Sequence, residues 1–190
     1  SSNFGNMFSV AVAVLFLPFL PMLPVQILLN NFIYDFSQIT IPTDNVDREF
    51  KQKPKRWNMK FIKEFMFVFG PISSMFDIIT FFILFVVFKV SPAMFQTGWF
   101  IESLATQTLV IHVIRTKRIP FLQSSPSPQL LISSIICVAF GWVLPYTKIG
   151  GFFGFSPLPS YILFSIVGVV AVYLITVEIA KRLFYKRHDF

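Results

Sequence analysis

Charge and cysteine are both scarce in this chain of 190 residues, and each scarcity removes a class of protein. Only 13% of positions are Asp, Glu, Lys or Arg, against 55% apolar, and the mean hydropathy is +0.70. A soluble globular domain carries about twice that share of charge, so a soluble fold is excluded and a bilayer is the expected solvent. The single cysteine, Cys137, rules out an internal disulfide and reads as a packing residue within an apolar run. There is no metal-spaced Cys/His set, no Gly-rich phosphate loop and no internal repeat. The opening Ser1-Ser2-Asn3-Phe4-Gly5-Asn6 offers no initiator Met, basic region or cleavage site. No signal peptide is expected there, and the chain is expected to start inside a longer protein.

What is abundant is apolar sequence with breaks: Phe occurs 26 times, and Gly and Pro together 21 times. Spanning hydrocarbon takes about 20 mostly apolar residues. Six stretches qualify as expected spans, at about 3–17, 22–39, 65–88, 100–114, 130–146 and 160–184, the first of them short. The expected fold class is therefore all-α, a polytopic membrane helix bundle forming one domain over 1–190. Fourteen of the sixteen Lys and Arg fall between spans two and three, after span four or near the end, leaving Lys89 and Lys148 on the other side. The positive-inside rule then places the basic loop at about 41–60 and both chain ends in the cytoplasm. Pro18, Pro21 and Pro24 predict a tight outer hairpin, Gly70-Pro71 a kink, and 150–154 a flexible outer loop.

In such sequence the polar residues carry the chemistry. Asn31, Asp35 and Gln38 recur at i, i+4 and i+7 and form one helical stripe, with Gln26, Asn30 and Tyr34 on adjacent faces. A central Asp costs about 2.5–3.5 kcal/mol to insert, and such residues face a cavity, a partner or an ion. Asp35 has no Lys or Arg near it in its span, so it reads as a ligand or gating carboxylate. Asn3 and Asn6 give span one a matching polar face, although amides also serve as hydrogen-bond glue between helices. Asp77, beside Ser73, Ser74 and Thr80, lines either a helix interface or an ion route. Glu102, close to Trp99, reads as a hydrated acid at the outer edge of span four, and Gln107 as the deeper cavity residue. His112 reads as hydrogen-bonded rather than metal-ligating, and Glu178 as one half of a local ion pair with Lys181 or Arg182.

Several separated motifs narrow the reading. Leu20 to Asp35 (LPMLPVQILLNNFIYD), the TIPTDNVD at 40–47, GPISSMFD at 70–77 and QTLVIHVIRT at 107–116 follow one another in order. Together with the opening SSNFGN, they resemble the bacterial magnesium-transporting P-type ATPases over essentially the whole chain. The resemblance implies the last six helices, five to ten, of a ten-helix membrane domain. It implies a pump that imports Mg²⁺ into the cytoplasm on ATP hydrolysis, with Mg²⁺ also accompanying ATP as substrate. The phosphorylation and ATP-binding domains and helices one to four would be partners outside this chain, and the membrane a bacterial inner membrane. Asn3, Asn6, Asn31, Asp35 and Gln107 would then surround the metal ion, with Tyr34 and Asp77 as further candidates. The amide Asn6 stands where calcium pumps carry Glu, and a few oxygens around a partly hydrated ion suit Mg²⁺. The residues alone leave H⁺ or Ca²⁺ open as cargo, and also a self-standing six-span channel or secondary carrier. No nucleic-acid partner is expected. The basic residues at 48–63 read mainly as topology, with contact to anionic lipid such as cardiolipin as the functional alternative.

Overall fold

A computed structural model describes residues 2–45, 47 and 59–187. Among the described residues there are six principal α-helices and one short one: α1 (Ser2–Phe16), α2 (Pro24–Gln38), α3 (Met59–Phe82), α4 (Pro92–Ile114), α5 (Pro128–Val143), α6 (Lys148–Phe152) and α7 (Ser160–Arg187). No strand occurs among the described residues. The five basic residues Arg48, Lys51, Lys53, Lys55 and Arg56 of the expected lipid-facing loop lie outside the described residues.

Prolines mark where the helices begin. Pro24, Pro92 and Pro128 each occupy the first helical turn, where a missing N–H is harmless. Ser91 and Ser127 precede two of them and accept the Met94 and Leu130 amides at 3.3 and 3.2 Å. For α2 the cap is Gln26, whose Oε1 accepts the Leu23 N–H at 3.0 Å. Pro71 lies inside α3, which continues through it before loosening into a π turn at Ile83–Val87.

The centre of the bundle is α4, packed against α2, α3, α5 and α7. All fourteen residues from Phe95 to Thr108 are buried. A helix covered on every side needs no apolar stripe, which is why it can carry Gln96, Thr97, Glu102, Ser103, Thr106, Gln107 and Thr108. By length and composition, Met59–Val87, Pro128–Tyr146 and Ser160–Arg187 can cross a membrane. With 15 residues each, α1 and α2 reach about 22 Å, short of the roughly 30 Å hydrocarbon core.

Packing of α1 on α3 depends on Gly5. A Cβ there would come within 3.1 Å of the Gly70 carbonyl oxygen and the Ser73 Cβ, so a larger residue would push the two backbones apart by a few tenths of an ångström. Ser74 Oγ uses this approach to donate to the Gly5 carbonyl at 3.0 Å. The outward faces of α1 and α2, with Phe4, Met7, Phe8, Phe32 and Phe36, are exposed.

Two expectations about connections change. Rather than a flexible loop, residues 148–152 form the helical turn α6, and Gly154 takes φ +76° to bring the chain against α2. The Phe153 carbonyl there accepts Gln26 Nε2 at 2.8 Å. The fourth helix also begins at Pro92 rather than near 100, because Ser91 and Pro92 supply a start signal ahead of the apolar run.

Candidate membrane cation site and the carboxyl pair behind it

Between α1 and α2 lies a cavity of about 420 Å³ with amides on both walls: Asn3 and Asn6 on one, Asn30 and Asn31 on the other. Met22 and the buried Trp99 line it further in. Asn3 and Asn6 share a face of α1 at i, i+3, while Asn31 begins the polar stripe of α2 and Asn30 lies on the adjacent face. Asn6 Nδ2 donates to Ser103 Oγ of α4 at 3.2 Å, and Gln107 Nε2 donates to the same hydroxyl at 2.7 Å. Ser103 therefore ties the amide wall to the buried helix.

Two amide oxygens here accept nothing. Asn30 Oδ1 and Gln107 Oε1 are buried without a hydrogen-bond partner among the described residues. A buried acceptor left unsatisfied costs about 1–3 kcal/mol. Such oxygens are the hard, neutral ligands that a cation needs. No group of three or more His, Cys, Asp or Glu able to hold a metal occurs among the described residues.

The structure brings Asn3, Asn6 and Asn31 to one cavity, and Gln107 to the same neighbourhood through Ser103. It does not bring Asp35 there: that side chain is exposed, one turn beyond Asn31, and does not line the cavity. Tyr34 is half-buried and packs against the core. His112 is buried, with Nε2 2.7 Å from Ser134 Oγ, as a hydrogen-bonded histidine should be. Glu178 pairs with both Lys181 and Arg182, at 2.6 and 2.9 Å.

Asp77 is 2% exposed and bound from two other helices. Ser9 Oγ donates to its Oδ2 at 2.6 Å and Trp99 Nε1 to its Oδ1 at 2.9 Å. The expectation for Glu102 is overturned. It is 1% exposed, not hydrated at the bundle edge, because α4 begins ten residues earlier at Pro92. Its Oε2 has no hydrogen-bond partner among the described residues.

At the end of the bundle that carries most of the basic residues, a polar latch joins the segment after α2 to the one after α4. Arg115 Nε pairs with Asp44 Oδ2 at 2.5 Å, and Arg115 Nη2 donates to the Asn45 carbonyl at 2.7 Å. Asp44 Oδ1 accepts the Ser127 N–H at 2.9 Å, while Asp47 accepts Thr116 Oγ1 at 2.6 Å and Ser124 Oγ at 2.7 Å. Burial pushes the Asp47 carboxyl up, but those hydroxyls and the charges of Arg115 and Arg118 outweigh it and hold it below its ordinary value. Sequence reasoning read Arg115 only as a topological charge. The acidic residues 40–47 and the basic run 115–118 are the signal for the latch, but 71 residues separate Asp44 from Arg115.

Comparisons with known proteins bear on this arrangement. The sequence model of the family described as Cation transporting ATPase, C-terminus matches residues 19–183. The chain is 45% identical over 192 residues to the magnesium-transporting ATPase, P-type 1, of Escherichia coli K12, covering 99% of this chain and 21% of that protein. It is 44% identical over 191 residues to a protein of that name from Salmonella typhimurium LT2, covering 98% of this chain and again 21% of the relative. A third, from Salmonella typhimurium 14028s, is 42% identical over 192 residues, with 99% and 21% covered. The chain thus spans about a fifth of the length of these curated relatives.

Proposed function

Because this chain belongs to the family of the C-terminal region of cation-transporting ATPases, we propose that it is the membrane portion of a P-type pump that moves Mg²⁺. The observation that carries the reading is the cavity between α1 and α2, lined by the four amide side chains Asn3, Asn6, Asn30 and Asn31. Mg²⁺ demands oxygen ligands and dehydrates reluctantly. A cavity of about 420 Å³ lined by Asn3, Asn6, Asn30 and Asn31 can take the ion with part of its water shell. Neutral amides bind it weakly enough to let it leave, and Gln107 supports the wall through Ser103.

Asp35 enters the reading differently. It lies on the exposed side of α2, where the remainder of a much longer protein would pack. There it would supply the carboxylate from a second wall, with helices one to four completing the site and the cytoplasmic domains supplying ATP hydrolysis. The names of the relatives support Mg²⁺ as cargo. Inward transport follows the resemblance, as do a bacterial inner membrane and cytoplasmic ends. Contact of the basic residues at 48–63 with anionic lipid, cardiolipin included, is a proposal from sequence charge alone.

The test is Mg²⁺-activated ATP hydrolysis and Mg²⁺ uptake by the intact transporter. Asn31→Leu is expected to raise the half-activating Mg²⁺ concentration at least tenfold, the effect of losing about 1.4 kcal/mol of ion binding. Asp35→Asn is expected to abolish uptake in a protein that still inserts. Unchanged Mg²⁺ activation in both variants would refute the site.

A further inference from the structure

At the basic end of the bundle, two apolar side chains stand exposed at the tip of a tight turn. Residues 119–124 form a hairpin between the end of α4 and the start of α5, and Phe121 and Leu122 at its tip are 53% and 83% exposed. The hairpin is held from within. The Phe121 N–H donates to the Ser124 carbonyl at 3.1 Å, the Gln123 N–H to the Ile119 carbonyl at 3.0 Å, and the Ile119 N–H to Gln123 Oε1 at 3.2 Å. Ser124 is itself fastened by Asp47 and Arg115 of the latch. Phe121 takes φ +63°, the left-handed region that suits glycine or asparagine rather than a bulky side chain. For the turn alone an aromatic ring is the wrong choice, so its use lies in what the ring meets.

Side-chain contacts fix the depth of the tip. The Phe121 ring centroid lies 5.5 Å from that of His112, in the last turn of α4, so the hairpin folds back along the helix instead of pointing away from its end. His112 is bonded in turn to Ser134, in the second turn of α5. At that level Ile132 and Ile135 are exposed apolar side chains on α5, part of a segment long and apolar enough to cross a membrane. The tip thus sits where the lipid-facing surface begins, not in the water beyond it.

Charge around the tip is positive. The exposed Arg118 precedes it, and Lys117 lies over the Tyr185 ring at 4.8 Å, which brings the last turn of α7 alongside with the exposed Lys186 and Arg187. The carboxylates of the neighbouring segments are occupied: Asp44 by Arg115, Asp47 by Thr116 and Ser124, and Glu178 by Lys181 and Arg182. Apolar side chains with cations beside them match the boundary between anionic headgroups and acyl chains. We propose that the 119–124 hairpin is an interfacial anchor: Phe121 and Leu122 enter that boundary in an anionic phospholipid layer, and Arg118, Lys186 and Arg187 meet its phosphates. The preformed turn binds without the cost of ordering a loop. Because Ser124 belongs to both hairpin and latch, the anchor also holds the latch at membrane level. The inference needs the chain to span a bilayer and nothing about its cargo.

The experiment places the intact transporter carrying Leu122→Trp in bilayer discs of phosphatidylcholine, with or without phosphatidylglycerol, whose acyl chains are either plain or brominated. The signal is the fluorescence added relative to the wild type in the same discs, and Phe121→Trp is a second probe should the first variant fold poorly. With phosphatidylglycerol present, the added emission is expected at short wavelength, and brominated chains should remove about half of it, as for a side chain at the headgroup–acyl boundary. In phosphatidylcholine alone the quenching should be weaker. Long-wavelength emission quenched by aqueous iodide and not by bromine would overturn the anchor, since the tip is then in water. Short-wavelength emission that neither quencher reaches would overturn it too, since the tip is then covered by the remainder of the longer protein. Equal quenching by bromine in both lipid mixtures would overturn the anionic partner.

Discussion

Replacing Lys181 by Met should loosen the bundle more than any other single change at its basic end. Lys181 is fully buried on α7, and its Nζ donates to the carbonyls of Val113 at 2.9 Å and Arg118 at 3.0 Å. The Val113 oxygen lies in the last turn of α4, where the helix dipole attracts a cation, and the Arg118 oxygen lies in the segment just after it. Met fills the volume of the aliphatic stem, so no large cavity forms. What is lost is the partner of the buried Val113 carbonyl, about 1–3 kcal/mol to leave unsatisfied, and of the part-buried Arg118 carbonyl, which costs less. The Glu178 contact adds little, since that carboxyl stays 18% exposed and keeps Arg182. Removing a buried ammonium relieves several kcal/mol of desolvation in the folded state and offsets part of the loss. The net expectation is a destabilisation of about 3 kcal/mol, read as the unfolding free energy of the intact transporter in mixed micelles. Glu178→Gln, which keeps an acceptor for Lys181, should cost about 1 kcal/mol. The reasoning fails if Lys181→Met is as stable as the wild type, or if Glu178→Gln is the more damaging change.

Gly5→Ala should cost about 1 kcal/mol and Gly5→Leu about 3 kcal/mol or more, because the added carbon meets the Gly70 carbonyl at 3.1 Å; the fraction of folded protein after extraction measures it. For Asp47, the folded-state pKa is lowered, so its contribution to the latch is complete above the unfolded value of about 3.9 and is lost only as pH falls through the still lower folded value. Hydrogen exchange at 116–127, corrected for its intrinsic pH dependence, should therefore show constant protection between about pH 5 and 8. Asp47→Asn should lower that protection at neutral pH.

The helices were legible because apolar runs broken by proline are a local signal. Each of the six expected spans overlaps a helix, and the largest boundary error is at α4, which starts at Pro92. That error carried into the chemistry: a span beginning at 100 puts Glu102 at the membrane edge, whereas the observed helix buries it. That Asn3 and Asn6 share a face of α1 was legible from helical periodicity; that Asn31 of α2 lines the same cavity was not, since it depends on packing. The roles of Ser9, Trp99 and Ser103 were not, since each depends on which helix packs against which. The exposed position of Asp35 was equally invisible, because a polar stripe fixes a face but not what that face meets.

Mechanically, α2 is a strut fastened at both ends. Its first turn is pinned through Gln26 to the Phe153 carbonyl, and just past its last turn Thr40 meets Ser133 at 2.7 Å and Asp44 is bolted to Arg115. A rod held this way transmits force along its length and resists rotation about its own axis. A pull applied at Asp44 should therefore reach the amide wall at Asn30 and Asn31 as displacement of the helix.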